Sequence, residues 1–366
     1  MKGLIRMMKT RVEFKTITTV IVLMSTLLLA ACGGGGSAST TGTQSALPTT
    51  SAEPEKTEMQ KATVQLKWVP QAQFAGIYVA AEKGFYKDEG IDIKIVPGGP
   101  DVVAEQQVAN GVADVGITGV ESLLVNRENG VPLVSLAQIT QKSSKVLIAK
   151  KSTGIDSPEK MKGKKIATFM GGKQFQAIAY LEHHGIDPEK DIQLVKQGFT
   201  MDQFFNDQVD VATATIYNEY HVVLESGMKE SDLYVFNIED AAISMLEDTL
   251  FAREDWVENN RDLAVKIVRA TLKGWNYAIE NQEEAIDIVM KNVIEGSTTR
   301  QHQVTMLQEM AKLIKPEGFT SDQVGMFVDE SFKRTADIML KYGLIKKPAD
   351  LESAFDESIY EDAVAK

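Results

Sequence analysis

From Ala62 onward the chain alternates short apolar runs with segments whose apolar residues recur at helical spacing. This is the pattern of successive strand and helix units. Residues 64–68, 92–96, 114–117, 133–139 and 145–148 predict strands. Residues 75–82, 102–110 and 120–129 predict helices, followed by Gly90, Gly111 and Gly130. Glycine is suited to ending a helix because it takes the left-handed turn without strain. A second series begins near Lys150. Its predicted strands are 165–169, 192–195, 209–212 and 233–236, with helices from Gly171-Gly172 through Glu182 and over 217–224. Residues 249–253 read as a strand returning to the first series. Beyond Glu254 the spacing is wholly helical, over 264–277, 283–291, 301–314 and 321–342, and no fixed-period repeat is visible.

Two such series predict a bilobed α/β architecture, two βα lobes joined by two crossing segments, with a helical C-terminal extension. The expected boundaries put one lobe at 61–150 plus 249–366 and the other at 151–248. Open parallel sheets meet ligands beyond the carboxyl ends of their strands, so two facing sheets make a cleft. The fold alone does not name a function.

The first residues follow another pattern. Lys2, Arg6, Lys9, Arg11 and Lys15 stand against one acid, Glu13, and an apolar run over 20–31 ends Leu29-Ala30-Ala31-Cys32. A basic start, a short apolar run and small residues before the break describe an export signal over 1–31. The run is short for a bilayer span. With cysteine at the cut, the segment resembles the bacterial lipobox, which implies a lipid on Cys32. An ordinary signal peptide with a coincidental cysteine is the competing reading. Small and polar residues fill 32–60 and bury too little to fold, which suits a flexible tether. Two acyl chains hold a protein stably, at about 0.8 kcal/mol per buried methylene. The expected location is therefore the membrane surface outside the cytoplasm.

Removing 1–31 leaves 34 basic and 50 acidic residues, a formal charge of −16. That is a poor surface for nucleic acid, whose binding rests on Lys and Arg at phosphates. Cys32 is the one cysteine, so the folded part has neither a disulfide nor a thiol nucleophile. Four histidines, His183, His184, His221 and His302, argue against a zinc cluster, and His183-His184 at an apparent helix end read as a surface cap over a metal site.

Four segments could carry chemistry. In LKWVPQAQFAGIY, Pro70 breaks the strand, and Trp68, Gln71, Gln73 and Phe74 fall at its carboxyl end. Aromatic faces there suit a ring, each stack contributing roughly 0.5–1.5 kcal/mol beyond burial; placement in the core is the alternative for Trp68 and Phe74. Gly98-Gly99-Pro100-Asp101 and Gly116-Ile117-Thr118-Gly119-Val120-Glu121-Ser122 present free amides at helix starts, suited to polar ligand atoms or to plain turns. Gly171, Gly172 and Lys173 form the equivalent corner of the second series. Tyr217, Asn218 and Glu219 open a helix, where Glu219 either serves the helix dipole or accepts from a ligand's N–H groups. Nucleotide fingerprints, an HExxH helix and a nucleophile elbow are absent from the sequence.

Taken together, the lipobox, the tether, LKWVPQAQFAGIYVAAEKGFYKDEGIDI, GGPD, NGVADVGITGVESLL and ATIYNEY resemble solute-binding lipoproteins of ABC importers. The resembling family includes thiamine-pyrimidine-precursor, riboflavin, sulfonate and nitrate binders, over roughly residues 61–291. The resemblance implies a type II periplasmic-binding-protein fold that closes on one ligand, as such proteins do by hinge motion. In the pyrimidine binders a ring stacks on an aromatic of the W-x-P motif and a glutamate of a Y-N-E-like segment accepts from the aminopyrimidine. The matching positions are Trp68 and Glu219, with Tyr217 and Asn218 beside them. Where those binders have N-T-N-H-T-G, this chain has Gln71-Ala72-Gln73-Phe74-Ala75-Gly76; an added aromatic suits a larger ring such as riboflavin's. A related branch makes the thiamine pyrimidine enzymatically through a cysteine-rich motif, which the folded part of this chain lacks.

The expectation is a receptor without catalysis, cofactor or metal, acting as a monomer. It would capture a small heteroaromatic nutrient, foremost an aminopyrimidine, and pass it to an ABC permease and its ATPase. Trp68, Phe74 and Tyr217 would flank the ring, and Gln71, Gln73, Asn218 and Glu219 would set polar selectivity. Rival readings are a riboflavin receptor, an oxyanion receptor using Lys173 with the amides of Gly171 and Gly172, an exported pyrimidine enzyme, and an adhesive or sensory lipoprotein.

Overall fold

The computed structural model describes residues 58–365; the expected leader, Cys32 and nearly all of the tether lie outside them. Ten strands form two five-stranded sheets. The first sheet takes β1 (Gln60–Gln65), β2 (Ile91–Val96), β3 (Val115–Gly119) and β4 (Leu133–Gln138). The second takes β5 (Lys145–Lys150), β6 (Lys165–Thr168), β7 (Gln193–Lys196), β8 (Val211–Thr215) and β9 (Leu233–Asn237), and β10 (Asp248–Arg253) returns to the first. The strand orders are β2-β1-β3-β10-β4 and β7-β6-β8-β5-β9. Each sheet is parallel except for one strand, β10 in the first and β5 in the second, which runs antiparallel to both of its neighbours. The lobes are thus built on one plan, with β3 and β8 in matching central places. Both strands are buried along their whole length, as expected where helices cover both faces of a sheet.

Residues 139–144 and 238–247 cross between the sheets. The expected boundary at residue 150 is corrected: β5 pairs with β8 and β9, so the first crossing precedes it. The apolar run 145–148 reads the same in either sheet, and only long-range pairing assigns it. The two crossings hold each other, since the Ser144 amide donates to Glu247 Oε2 at 2.6 Å.

Helix Ala75–Glu82 falls where the spacing predicts and packs on the long helix Arg261–Glu280 of the C-terminal region. Two predicted helices start late. Gly171 and Gly172 sit at φ 75° and 93°, so the helix begins at Phe175 and runs to His183. The segment 321–342 breaks at Gly325, φ 91°, whose carbonyl accepts from the Gln138 amide, and the helix spans only Asp329–Lys341. Among the described residues no helix is long and apolar enough to cross a membrane.

Candidate functional site

The carboxyl ends of β3, β6 and β8 and the residues just beyond β1 line one cleft between the lobes. From the first lobe come Lys67, Trp68, Gln71, Gln73, Glu105, Thr118 and Glu121. From the second come Lys145, Phe169, Gly171, Gly172, Lys173, Thr215, Tyr217, Asn218 and Glu219, and Glu247 reaches in from the second crossing. Ten of the eleven expected binding residues therefore meet in one place.

Phe74 is the exception. A single tight turn at Ala72–Phe74 swings its ring into the core, where it is 1% exposed, while Gln71 and Gln73 stay at the cleft. The sequence could not phase that turn, so Phe74 is a packing residue and the added-aromatic argument for a larger ring loses its residue.

Trp68 faces the other lobe. Its ring lies edge-on to Phe169 at 5.3 Å and stacks with Phe199 at 6.0 Å, and Lys173 Nζ sits 5.6 Å from it. Lys173 also approaches the Val102 carbonyl at 3.4 Å, and Lys196 pairs with Asp101 at 2.8 Å. The lobes thus touch across the cleft mouth. The positive φ of Gly172 brings the backbone against Ser122, whose Oγ a Cβ would strike.

Most polar groups here are already engaged. Gln71 Nε2 donates to Gln73 Oε1 at 2.8 Å, and Gln73 Nε2 donates to Asp248 Oδ2 at 2.9 Å. Asp248 forms an ion pair with Lys67. Burial works to lower the Lys67 pKa, but Asp248, Glu247 and Glu121 more than offset it, so the ammonium titrates above its usual range. Thr118 Oγ1 donates to Glu105. Burial, then Asp248 and Glu247, push the Tyr217 phenol well up, so it stays an O–H. Lys173 forms no ion pair among the described residues, and burial pulls its ammonium down to about 8.

Glu219 departs from expectation in detail. It lines the cleft, yet Oε2 accepts from the Thr215 amide at 2.9 Å and the Thr215 hydroxyl at 2.7 Å, and Oε1 accepts from Asn218 Nδ2 at 2.9 Å. Its carboxylate ties the turn after β8 together. Asn218 is held in turn by His302 Nε2 at 2.9 Å, while His302 Nδ1 faces Glu225 at 3.1 Å. His302 comes from the helix Arg300–Ile314 and lines a second hollow that shares Trp68, Gln71, Asn218 and Glu219 with the cleft.

Sequence reasoning did not single out Lys67, Glu105, Lys145, Phe169 or Glu247 as binding residues, nor Glu121 beyond its place in a helix start. Phe169 and Glu121 had a signal, since both stand at strand ends equivalent to those of Trp68 and Glu219. Lys145 and Glu247 had none, because the crossings bring them in.

The family model described as NMT1/THI5 like matches residues 71–285. A riboflavin-binding protein of Chloroflexus aurantiacus is 29% identical over 325 residues, 86% of this chain and 91% of that protein. A formylaminopyrimidine-binding protein of Halalkalibacterium halodurans is 25% identical over 309 residues, 81% and 90% of the two chains. A 4-amino-5-hydroxymethyl-2-methylpyrimidine phosphate synthase of Saccharomyces cerevisiae matches at 25% over 62% of this chain and 69% of its own. Among solved structures, the periplasmic aliphatic sulphonate binding protein of Escherichia coli superposes with a TM-score of 0.61 at 16% identity, over 81% of this chain and 91% of that one. A match over more than half of its length, on a two-lobed periplasmic-binding-protein frame, makes this chain a member of the NMT1/THI5-like family.

Proposed function

We propose that this protein is the solute receptor of an ABC importer and captures a small heteroaromatic nutrient of the aminopyrimidine type. The observation that carries this reading is the cleft itself. Trp68, Phe169 and Tyr217 bring aromatic surface from both lobes to one pocket whose ionisable groups nearly balance, with Lys67, Lys145 and Lys173 against Glu105, Glu121, Glu219 and Glu247. A flat, uncharged ring fits aromatic walls, while placed polar groups fix its orientation. Closure excludes water and strengthens each polar contact.

The relatives that bind riboflavin and formylaminopyrimidine support a ring ligand. Binding is proposed over catalysis, although a pyrimidine synthase is also a relative, because the folded part carries no cysteine. The receptor works as a monomer, both cleft walls coming from one chain. It hangs outside the cytoplasm from a lipid on Cys32, and its closed shape is what the permease reads.

Calorimetric titration with 4-amino-5-hydroxymethyl-2-methylpyrimidine, riboflavin, taurine and nitrate tests this. Tight binding of a ring compound is the expected result, and binding of the oxyanions alone sinks the ring reading. That second reading has one observation in its favour, Lys173 at the glycine corner, which forms no ion pair among the described residues.

A further inference from the structure

The corner after β3 holds a carboxyl group to which the resemblance gives no role. Glu121 lies in the first turn of the helix Val120–Glu128 and is 5% exposed. Its carboxyl folds back over Gly119, where a Cβ would collide with it. It lines the cleft, and its Oε2 has no hydrogen-bond partner among the described residues.

The other acids around the cleft are engaged. Glu105 takes the Thr118 hydroxyl, and Asp248 holds Lys67 and Gln73. Glu247 accepts from Ser144 and faces Lys145 at 3.7 Å, and Glu219 holds Thr215 and Asn218. A buried polar atom left without a partner costs roughly 1–3 kcal/mol, so an empty partner position beside a ligand cleft marks where a ligand atom belongs.

We propose that Glu121, rather than Glu219, is the carboxyl that reads the ligand, its Oε2 bonding to the polar edge of a neutral ring. The assignment rests on the ring-receptor reading and sharpens it. Burial pushes the Glu121 carboxyl up to about 8 and Glu247 adds to the rise, while Lys67, the residue's own backbone N–H and Lys145 pull it down. Near neutral pH the group is therefore largely a carboxylic acid, a donor as well as an acceptor. The matching ligand edge is an acceptor, a ring nitrogen or ring carbonyl. A deprotonated Glu121 would meet that acceptor lone pair to lone pair, so affinity falls as pH rises through this range.

The test is calorimetric titration of the full chain in detergent with 4-amino-5-hydroxymethyl-2-methylpyrimidine and with riboflavin, from pH 6.5 to 9. Wild-type affinity for the ring that binds should drop roughly tenfold between pH 7 and pH 9, as a group titrating near 8 loses its proton. Glu121→Gln keeps a donor, so its affinity should stay within about threefold at pH 7 and remain flat to pH 9. That flatness separates Glu121 from Lys173, which titrates in the same range. Glu121→Ala, and Gly119→Ala by displacing the carboxyl, should each weaken binding at least about tenfold, and Glu121→Ala should do so without any loss of thermal stability at pH 7. Ring binding that is indifferent to Glu121→Ala, or a pH slope that persists in Glu121→Gln, overturns the assignment and leaves the ring reading standing. A wild-type protein that takes only taurine or nitrate overturns both.

Discussion

The helix starts after β3 and β8 are equivalent corners of two lobes built on one plan, and each carries a buried glutamate. In the second lobe Glu219 has a hydrogen-bond donor on each oxygen, Thr215 on Oε2 and Asn218 on Oε1. In the first, Glu121 Oε2 has no hydrogen-bond partner among the described residues and burial pushes the carboxyl up to about 8. The same residue type at equivalent corners is thus held in two different ways. A carboxylate with a full set of donors fixes local backbone and has little left for a ligand. A buried carboxyl with one oxygen left without a partner has hydrogen-bonding capacity that a ligand can complete.

The sharpest way to probe both corners is to remove the wall between them. Trp68→Ala takes away the ring that meets Phe169 and Phe199 across the cleft mouth. Ring affinity should fall roughly a hundredfold, about 2–3 kcal/mol, with the fold intact. Calorimetry checks the affinity and thermal unfolding the fold. Lost stability with retained affinity would make Trp68 a core residue.

Next in size is the satisfied corner. Glu219→Ala leaves the buried Thr215 amide without its acceptor, so unfolding stability should drop by about 1–3 kcal/mol. Affinity should follow only as far as the turn loosens. The comparison breaks if Glu219→Ala abolishes ring binding at full stability while Glu121→Ala changes nothing.

The unsatisfied corner has a stability signature of its own. Glu121 titrates at about 8 in the folded protein against an ordinary 4.5, so the folded state holds this proton more tightly than the unfolded chain. Its contribution to stability therefore declines as pH rises from about 4.5 to about 8 and levels off above that. Glu121→Gln removes this decline. Relative to wild type, its thermal midpoint should climb by a few degrees between pH 5 and pH 8, as read by differential scanning fluorimetry. Parallel pH profiles would show Glu121 to be ionised at neutral pH.

The smallest expected effect is at Lys173. Lys173→Met removes a cation that has no carboxylate partner among the described residues, and ring affinity should change less than about threefold because the proposed polar anchor is elsewhere. A loss above tenfold would move that anchor to the glycine corner of the second lobe and favour an anionic ligand.

These outcomes bear on how much of the site was legible in the residues. Trp68, Gln71 and Tyr217 were readable because the end of an apolar run, a proline or a helix start put them at strand termini, and strand termini meet in this architecture. Phe74, three residues from Gln71, was misplaced because one tight turn sets which way each side chain points, and no periodicity encodes a three-residue turn. Glu121 and Glu219 looked alike in sequence. Their difference lies in Thr215 and Asn218 closing around one carboxylate and in Gly119 making room for the other.

Local patterning determined that this chain forms two βα series, that they cross twice, and that its cleft would be aromatic and polar without a thiol, since strand and helix periods and residue types are local properties. Tertiary structure alone decided that β5 joins the second sheet, that Lys145 and Glu247 enter the cleft, and which glutamate keeps an empty partner position. Strand pairing and hydrogen-bond satisfaction depend on groups far apart in the chain that are brought together only by the fold.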